Sequence, residues 1–385
     1  MPTPRTVLEL QLARLWEGLL EAGPVGVQDD FFELGGDSMA AAELVAVLER
    51  RWGVSLALDR LLPGLTVERL ARLLSAAEPA RSGSPLVPIQ PEGTRPPFFC
   101  VHPSGGSVLC YLDLARLLGT LGTDRPFYGL QGPDPRGGRE PFERIEDMAA
   151  VYLKAIREAR PRGPWLLGGY SFGGYVAFEM ARQLTADGTA GEEPPFLALL
   201  DTRAPAALHE QPEGGLVADL AAVLERHTLG DEPASLAEEK RLWDDLTELA
   251  EVHLRKVYGD QEETGRRRPS RMGALQRFFR EYRFLPTGEE IDYREVRRYL
   301  RFLRANFRSS RSYAPAPYPH GAVLFQSTDR LTDAETAPEV HAVRWRRLVA
   351  DLEIRPVPGH HLSLLAPPAV EVLARELGEC LTLFS

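Results

Sequence analysis

The fold is decided by the stretch Trp165-Leu166-Leu167-Gly168-Gly169-Tyr170-Ser171-Phe172-Gly173-Gly174-Tyr175, an apolar run followed by a glycine-flanked serine and a helical pattern. A sharp turn from strand to helix strains the serine backbone, and small residues two positions before and after it remove the steric clash. The hydroxyl of Ser171 is then exposed above the sheet at a helix N-terminus, where the Phe172 N–H can help to hold a developing oxyanion. The stretch therefore predicts a nucleophilic serine in an α/β domain.

Short apolar runs alternate with amphipathic stretches around this turn, which predicts a mostly parallel sheet with helices on both faces. Residues 206–312 are charged, helical in period and without a strand candidate, so we expect a helical lid inserted at the strand ends. The predicted strands are 98–101, 127–130, 165–168, 196–200, 322–326 and 353–357, and the predicted helices lie near 107–121, 145–160, 173–187 and 368–382.

The acid that would orient a catalytic base is expected downstream of Ser171, because this type of turn is followed by the acid and then by the histidine. Asp201 comes directly after the apolar run 196–200, at a strand end where side chains face the site. Asp329 follows a later predicted strand and is a second candidate. Asp201 is favoured, and Asp329 is the alternative.

The base is expected in the stretch Pro358-Gly359-His360-His361, which follows the last predicted strand. A loop at this position lies over the strand ends. Histidine titrates near neutral pH, so it can take the proton of Ser171 and return it later. Only one of the two neighbouring histidines can do so; His361 is favoured, and His360 is the alternative.

A second oxyanion donor is expected in the loop after the first core strand. The glycine-rich segment His102-Pro103-Ser104-Gly105-Gly106-Ser107 follows that strand, and a backbone N–H near Ser104 suits the role. His102 is interpreted as a structural residue.

A second serine in a distinctive setting lies near the N-terminus, in Leu34-Gly35-Gly36-Asp37-Ser38. Ser38 begins a helix in a small acidic domain, residues 1–76. A serine there and a nucleophilic serine downstream suggest a covalent relay, in which one holds a tethered acyl group and the other attacks it. The domain is predicted to be four-helical, with helices over 7–20 and from Ser38 to about Gly53, a short turn at 59–62, and a last helix capped by Thr66.

The composition of the chain argues against several other classes of protein. The 385 residues are 44% hydrophobic and 26% charged, as in soluble globular proteins, and the net charge of −10 disfavours a nucleic-acid partner. No apolar run approaches a membrane span, and the N-terminus lacks a signal-peptide layout. Three cysteines without metal spacing predict neither a disulfide framework nor a metal site. We expect a cytoplasmic protein that binds no membrane, with a Pro-, Ser- and Gly-rich linker over 77–95.

These motifs resemble a known family. Residues 1–76, through Asp29-Asp30-Phe31-Phe32-Glu33-Leu34-Gly35-Gly36-Asp37-Ser38, resemble the peptidyl carrier protein of a nonribosomal peptide synthetase. Residues 96–385 resemble a type I thioesterase, through the segments His102–Gly106, Gly169–Gly174, Leu200-Asp201 and Gly359-x-His361. The resemblance implies an α/β-hydrolase with a helical lid, preceded by a four-helix acyl-carrier bundle. It also implies 4′-phosphopantetheine attached to Ser38, with Ser171 as nucleophile, His361 as base and Asp201 as orienting acid.

The function implied by the resemblance is terminal release of a peptidyl chain, by macrocyclisation or hydrolysis. The implied partners are upstream condensation and adenylation domains, a phosphopantetheinyl transferase and the peptidyl substrate. Alternatives are release of a polyketide or hybrid chain, an editing thioesterase, and a non-catalytic acyl-binding module. Editing members often carry histidine where Tyr170 stands, and the complete set of serine, aspartate and histidine argues against a mere binder.

Overall fold

The fold is taken from a computed structural model of the chain, which describes residues 7–52, 64–76, 84–133, 140–188, 194–205, 216–227, 229, 235–258, 293–330 and 337–384. In these ranges, no helix has the length and apolar character needed to cross a membrane. The same ranges hold no group of three or more potential metal ligands. The turn expected at 59–62 lies outside them, as does part of the expected lid, 259–292.

A seven-stranded sheet forms the centre of the large domain, in the order β1-β3-β2-β4-β5-β6-β7. The antiparallel strand β1 lies at one edge, on β3, and all other pairs are parallel. The predicted mostly parallel sheet is confirmed. The strands are β1 (Leu86–Gln90), β2 (Phe98–Val101), β3 (Phe127–Leu130), β4 (Leu166–Tyr170), β5 (Phe196–Leu200), β6 (Tyr318–Ser327) and β7 (Val349–Val357).

Helices cover both faces of this sheet and form the small N-terminal domain. Two apolar layers result, one on each face, and the strand residues contribute alternately to the two layers. The described helices are α1 (Val7–Leu20), α2 (Ser38–Trp52), α3 (Val67–Ala76), α4 (Leu112–Thr120), α5 (Ile145–Ala159), α6 (Phe172–Ala186), α7 (Leu216–Glu225), α8 (Leu236–Tyr258), α9 (Tyr293–Ser312), α10 (Pro338–Trp345) and α11 (Ala369–Thr382).

In the described residues of the small domain, α1, α2 and α3 pack together; the short turn expected as its fourth helical element, at 59–62, lies outside those residues. Its core contains Trp16 and Phe31, whose rings meet edge-on with centroids 4.8 Å apart. Thr66 caps α3, because its Oγ1 accepts a hydrogen bond of 3.2 Å from the Arg69 N–H. Helix α2 also contacts the 3-10 turn Leu109–Tyr111 of the large domain, so that the two apolar cores are continuous.

One strand was not predicted from the sequence, and β6 and β7 begin four residues earlier than predicted. Residues 86–90 fall in the stretch that composition assigned to the linker, yet they form β1 and pair with β3. The physical reason is that an edge strand tolerates a residue without an N–H donor, here Pro88, whereas a central strand does not. The sheet therefore begins before residue 96.

The described part of the lid is helical. Helices α7, α8 and α9 share an apolar core of their own, centred on Leu224, Leu246 and Leu303. Two polar contacts support this arrangement: Arg308 of α9 forms an ion pair with Glu225 of α7, and the His253 Nε2 of α8 lies 3.0 Å from the Asp219 Oδ2 of α7. The described helices of the lid thus form a small unit, and α9 contacts the loop after β2 through Asn306, whose Nδ2 donates to the Ser104 carbonyl.

Candidate active site

Ser171 occupies the turn between β4 and α6. Its backbone has φ 56° and ψ −119°, a conformation that L residues rarely adopt. The turn is held by the Ser171 N–H, which donates to the Leu200 carbonyl at 2.9 Å. A side chain at Gly169 would collide with the Gly173 backbone, which explains why the turn requires glycines on both sides of the serine.

His361 connects Ser171 to Asp201. The Ser171 Oγ lies 3.0 Å from the His361 Nε2, and the His361 Nδ1 lies 2.7 Å from the Asp201 Oδ2. A carboxylate only accepts hydrogen bonds, so the proton of neutral His361 lies on Nδ1. The Nε2 lone pair is then directed at the Ser171 hydroxyl, as removal of its proton requires.

Asp201 is held at the end of β5 by Ser327 at the end of β6. The Asp201 Oδ1 accepts hydrogen bonds of 2.9 Å from both the N–H and the Oγ of Ser327. Burial alone would raise the pKa of the Asp201 carboxyl, but the hydrogen bonds from His361 and Ser327 and the attraction of His361 lower the pKa below its usual value. The acid is therefore ionised at neutral pH. Sequence analysis missed Ser327; the one available signal was its hydroxyl at the end of a strand.

Tyr170 contacts both the backbone and the ring of His361. Its hydroxyl donates to the His361 carbonyl, and its ring stacks on the imidazole with centroids 5.0 Å apart. The Tyr170 N–H in turn donates to the Tyr111 hydroxyl at 3.0 Å, and Tyr111 donates to the Val101 carbonyl. The residue before the serine thus fixes the imidazole plane, a role that its position in the motif did not reveal.

Asp329 and His360, the alternative candidates for the acid and the base, lie outside the hydrogen-bonded chain of Ser171, His361 and Asp201. The side chain of Asp329 is exposed and accepts a hydrogen bond of 3.0 Å from the Thr328 hydroxyl. Its backbone N–H braces the histidine loop by donating to the Gly359 carbonyl at 2.9 Å. His360 contributes a backbone N–H to the Ser363 hydroxyl at 3.0 Å, while the ring of His361 faces Ser171.

Two backbone N–H groups were predicted to hold the oxyanion. Phe172 is the first residue of α6, where the N–H groups have no partner within the helix. Ser104 lies in a half-buried turn after β2, closed by the Gly106 N–H, which donates to the Pro103 carbonyl at 2.9 Å. Both assignments stay predictions.

The proposed attachment site in the small domain lies at the start of α2. Asp37 caps this helix through its Oδ1, which accepts from the N–H groups of Met39 at 2.9 Å and Ala40 at 2.8 Å. Gly35 and Asp37, which precede the helix, are exposed. Because a helix N-terminus favours anions, a phosphodiester on Ser38 fits this position.

The sheet, the strained serine turn and the serine–histidine–aspartate chain together define an enzyme of the α/β-hydrolase class. Comparison with known families identifies it further: residues 96–380 match the thioesterase domain, and residues 11–74 match the phosphopantetheine attachment site. The chain therefore belongs to the thioesterase family, with a phosphopantetheine carrier domain of the nonribosomal peptide synthetase type at its N-terminus.

Relatives among characterised proteins are much longer than this chain. A dimodular nonribosomal peptide synthase of Bacillus subtilis is 40% identical over 198 residues, which are 51% of this chain and 8% of the relative. A probable nonribosomal peptide synthetase of Salinispora arenicola is 29% identical over 376 residues, covering 96% of this chain and 4% of the relative. A solved holo four-domain nonribosomal peptide synthetase bound to AMP and glycine aligns with a TM-score of 0.57 and 25% identity, over 98% of this chain and 26% of that one.

Proposed function

We propose that this chain releases a peptidyl group from a nonribosomal peptide assembly line through an ester on Ser171. In this proposal residues 1–76 are the carrier domain, and the thioesterase domain, expected over 96–385, begins earlier, with β1 at residue 86, so that the linker expected over 77–95 shortens to 77–85. The observation that carries it is the hydrogen-bonded chain from Ser171 Oγ to His361 at 3.0 Å and from His361 to Asp201 at 2.7 Å, in a chain that also contains a carrier.

In the first half-reaction the Ser171 Oγ attacks the carbonyl carbon of an acyl thioester. His361 Nε2 takes the hydroxyl proton, while ionised Asp201 stabilises the resulting imidazolium. The N–H groups of Phe172 and Ser104 are proposed to stabilise the tetrahedral oxyanion. The carbon–sulfur bond then breaks, and the leaving thiolate receives the proton from His361, leaving an ester on Ser171.

In the second half-reaction a water molecule or an amine or hydroxyl within the peptide attacks the ester. His361 Nε2 accepts the proton of this nucleophile and returns it to the Ser171 Oγ when the ester bond breaks. Water gives a linear acid, and an internal nucleophile gives a ring. Both products arise from the same residues, so the choice between them depends on which nucleophile reaches the ester.

Ser38 is proposed as the residue that carries the 4′-phosphopantetheine. The arm supplies a thiol on which the acyl group is carried as a thioester. Because carrier and thioesterase share one chain, delivery is intramolecular, with an effective concentration in the ~mM range expected of short linkers. The contact of α2 with the 3-10 turn Leu109–Tyr111 supports delivery in cis, since α2 begins at Ser38 and the 3-10 turn follows the loop that contains Ser104.

The proposed partners follow from the carrier domain and from the relatives. A phosphopantetheinyl transferase would modify Ser38, and upstream adenylation and condensation domains would supply the peptidyl group. The relatives are synthetases of which this chain matches only a small part, which supports an assembly with further domains.

The test is intact-protein mass spectrometry after loading the full chain with a peptidyl-phosphopantetheine group from the coenzyme A derivative. The wild-type protein is expected to lose the peptidyl mass. Ser171→Ala and His361→Ala are expected to retain it on the arm, and the double variant is expected to be no slower than either single variant because the two residues act as a unit. Release by Ser171→Ala at the wild-type rate would refute the covalent mechanism.

Two variants provide matched controls. Ser38→Ala should accept no arm at all, which separates carrier modification from acylation of Ser171. His360→Ala alters the neighbour of His361 and should keep most of the release activity. The mass of the released product, with or without one added water, distinguishes hydrolysis from cyclisation.

A further inference from the structure

The peptide unit that contains the Ser104 N–H is held in one orientation by two donors. The Pro103 carbonyl accepts a hydrogen bond of 2.6 Å from the His102 Nδ1 and one of 2.9 Å from the Gly106 N–H. The carbonyl and the N–H of a planar trans peptide unit point in opposite directions. Fixing the Pro103 carbonyl therefore fixes the direction of the Ser104 N–H.

The ring of His102 is itself immobilised. It is fully buried, its Nε2 lies 2.7 Å from the Tyr152 hydroxyl, and it stacks on the Phe172 ring with centroids 6.0 Å apart. Burial lowers the pKa of His102 to about 4, so the imidazole is neutral at working pH and has a single N–H. Since the Pro103 carbonyl only accepts, this proton lies on Nδ1, and Nε2 accepts from Tyr152.

The lid holds the other side of Ser104. Asn306 of α9 is fully buried, and its Nδ2 donates to the Ser104 carbonyl at 2.7 Å. Within the described parts of the chain its Oδ1 has no hydrogen-bond partner, so the bond to Ser104 is the one that this amide makes there. Phe302, one turn earlier on α9, lies against Gly106, where a Cβ atom would approach the Phe302 ring to 2.6 Å. The loop is thus enclosed between the core and α9.

We propose that His102 and Asn306 are positioning residues that direct the Ser104 N–H at the developing oxyanion. His102 fixes the peptide unit before Ser104, and Asn306 fixes the one after it. Neither side chain needs to touch the substrate, since both are fully buried. The inference rests on the proposed function, because it assumes attack by Ser171 and a tetrahedral intermediate. A donor of this kind is effective only when it is oriented before the reaction begins.

The test compares a transition-state probe with a ground-state probe on the full chain. A peptidyl boronic acid forms a tetrahedral adduct with the serine, whereas the amide isostere of the acyl thioester remains planar. His102→Leu is expected to weaken boronate binding by ~10²-fold, the cost typical of one lost oxyanion donor, and to leave the Kd of the amide isostere unchanged. Asn306→Leu should have the same selective effect to a smaller extent, because the peptide unit of the Ser104 N–H itself remains held.

Conservative variants keep the test decisive if His102→Leu does not fold. The side-chain amide of His102→Asn can replace the Nδ1–H donor, so this variant should retain more boronate affinity than His102→Leu. Tyr152→Phe removes the hydroxyl that bonds the His102 Nε2 at 2.7 Å and the Gln131 carbonyl at 3.2 Å, and it should weaken boronate binding by several-fold. Ser310→Ala is the control on α9, because the Ser310 hydroxyl donates within its own helix, to the Phe307 carbonyl at 2.9 Å.

Two results would overturn the proposal. One is boronate affinity that does not change in His102→Leu or, where that variant is unfolded, in Tyr152→Phe. The other is an equal loss of affinity for both probes, which would indicate a purely structural role. These outcomes are separate from failure of the proposed function, which Ser171→Ala tests through product release.

Discussion

Replacement of Asp201 by asparagine tests whether the carboxylate sets the tautomer of His361, without a large change in side-chain shape. In the structure the Ser327 N–H donates to the Asp201 Oδ1, the Ser327 hydroxyl lies 2.9 Å from both carboxylate oxygens, and His361 donates through Nδ1 to Oδ2. An asparagine would keep its carbonyl oxygen at Ser327 and turn its NH₂ group towards His361. Two donors would then face each other, so the imidazole would shift its proton to Nε2.

The expected size of the effect follows from this change of tautomer. With a proton on Nε2, His361 cannot accept the proton of Ser171, although the distances between the groups stay nearly the same. Loss of the correct tautomer in a serine–histidine–aspartate chain lowers turnover by ~10⁴-fold. At 1.36 kcal/mol for each factor of ten, this is about 5 kcal/mol of activation free energy.

The assay is release of a peptidyl N-acetylcysteamine thioester, followed as free thiol, with circular dichroism to show that the fold is intact. Asp329→Asn is the matched control: its exposed side chain bonds Thr328, and an amide oxygen can accept the same bond. We expect this variant to stay close to wild-type turnover. A folded Asp201→Asn variant with near wild-type turnover, or a larger loss in Asp329→Asn, would refute the assignment of the acid.

Three further predictions concern the surroundings of the site. Tyr170→Phe removes the hydroxyl that bonds the His361 carbonyl and should lower kcat about fivefold, which corresponds to ~1 kcal/mol. Tyr170→Leu also removes the ring stacked on the imidazole and should lower kcat further. Equal kcat values for the two variants would contradict a role for the ring. The pKa of His102 is about 4 in the folded chain and ~6.5 in the unfolded chain, so between these pH values only the unfolded chain binds the proton. This residue should therefore lower the free energy of unfolding by about 3 kcal/mol when the pH falls from 7 to 4. Urea unfolding of His102→Asn should show a correspondingly weaker pH dependence, and parallel curves for the two proteins would contradict the burial argument. Hydrogen exchange should be faster in α7 and α8 than in β4 and β5. Exchange in α9 should be slower than in α8, because Asn306 holds α9 to the Ser104 loop. Protection of α8 equal to that of the strands would argue against a movable lid.

The central strands and the serine turn could be predicted because their signals are local. Strands buried on both faces appear as continuous apolar runs, as in β4 and β5, and the glycines around Ser171 are required by the backbone of the turn itself. The edge strand β1 has weaker signals. It is short, half-exposed and contains Pro88, and it adjoins a stretch rich in proline and serine, so composition favoured a linker.

Contacts between distant residues could not be predicted from local patterns. Ser327 is 126 positions from Asp201, and Asn306 is 202 positions from Ser104, so no spacing in the sequence connects them. The choice between Asp201 and Asp329 depends on which strand end faces the histidine loop, and that is a property of the folded sheet. Helix α10 was also missed, because its eight residues are too few for a clear amphipathic period.

The edge strand β1 sets the reach of the carrier domain. If the chain joined the sheet only at residue 96, the segment from the end of α3 could span up to about 70 Å when fully extended. Because β1 fixes residue 86 to the sheet, nine residues, 77–85, separate α3 from the first strand, and they can span at most about 35 Å. The largest possible distance between α3 and the sheet is therefore about half of what composition suggested. In the proposed assembly line, a carrier that visited more distant catalytic domains would therefore take the thioesterase domain with it, and the two domains would travel as a pair.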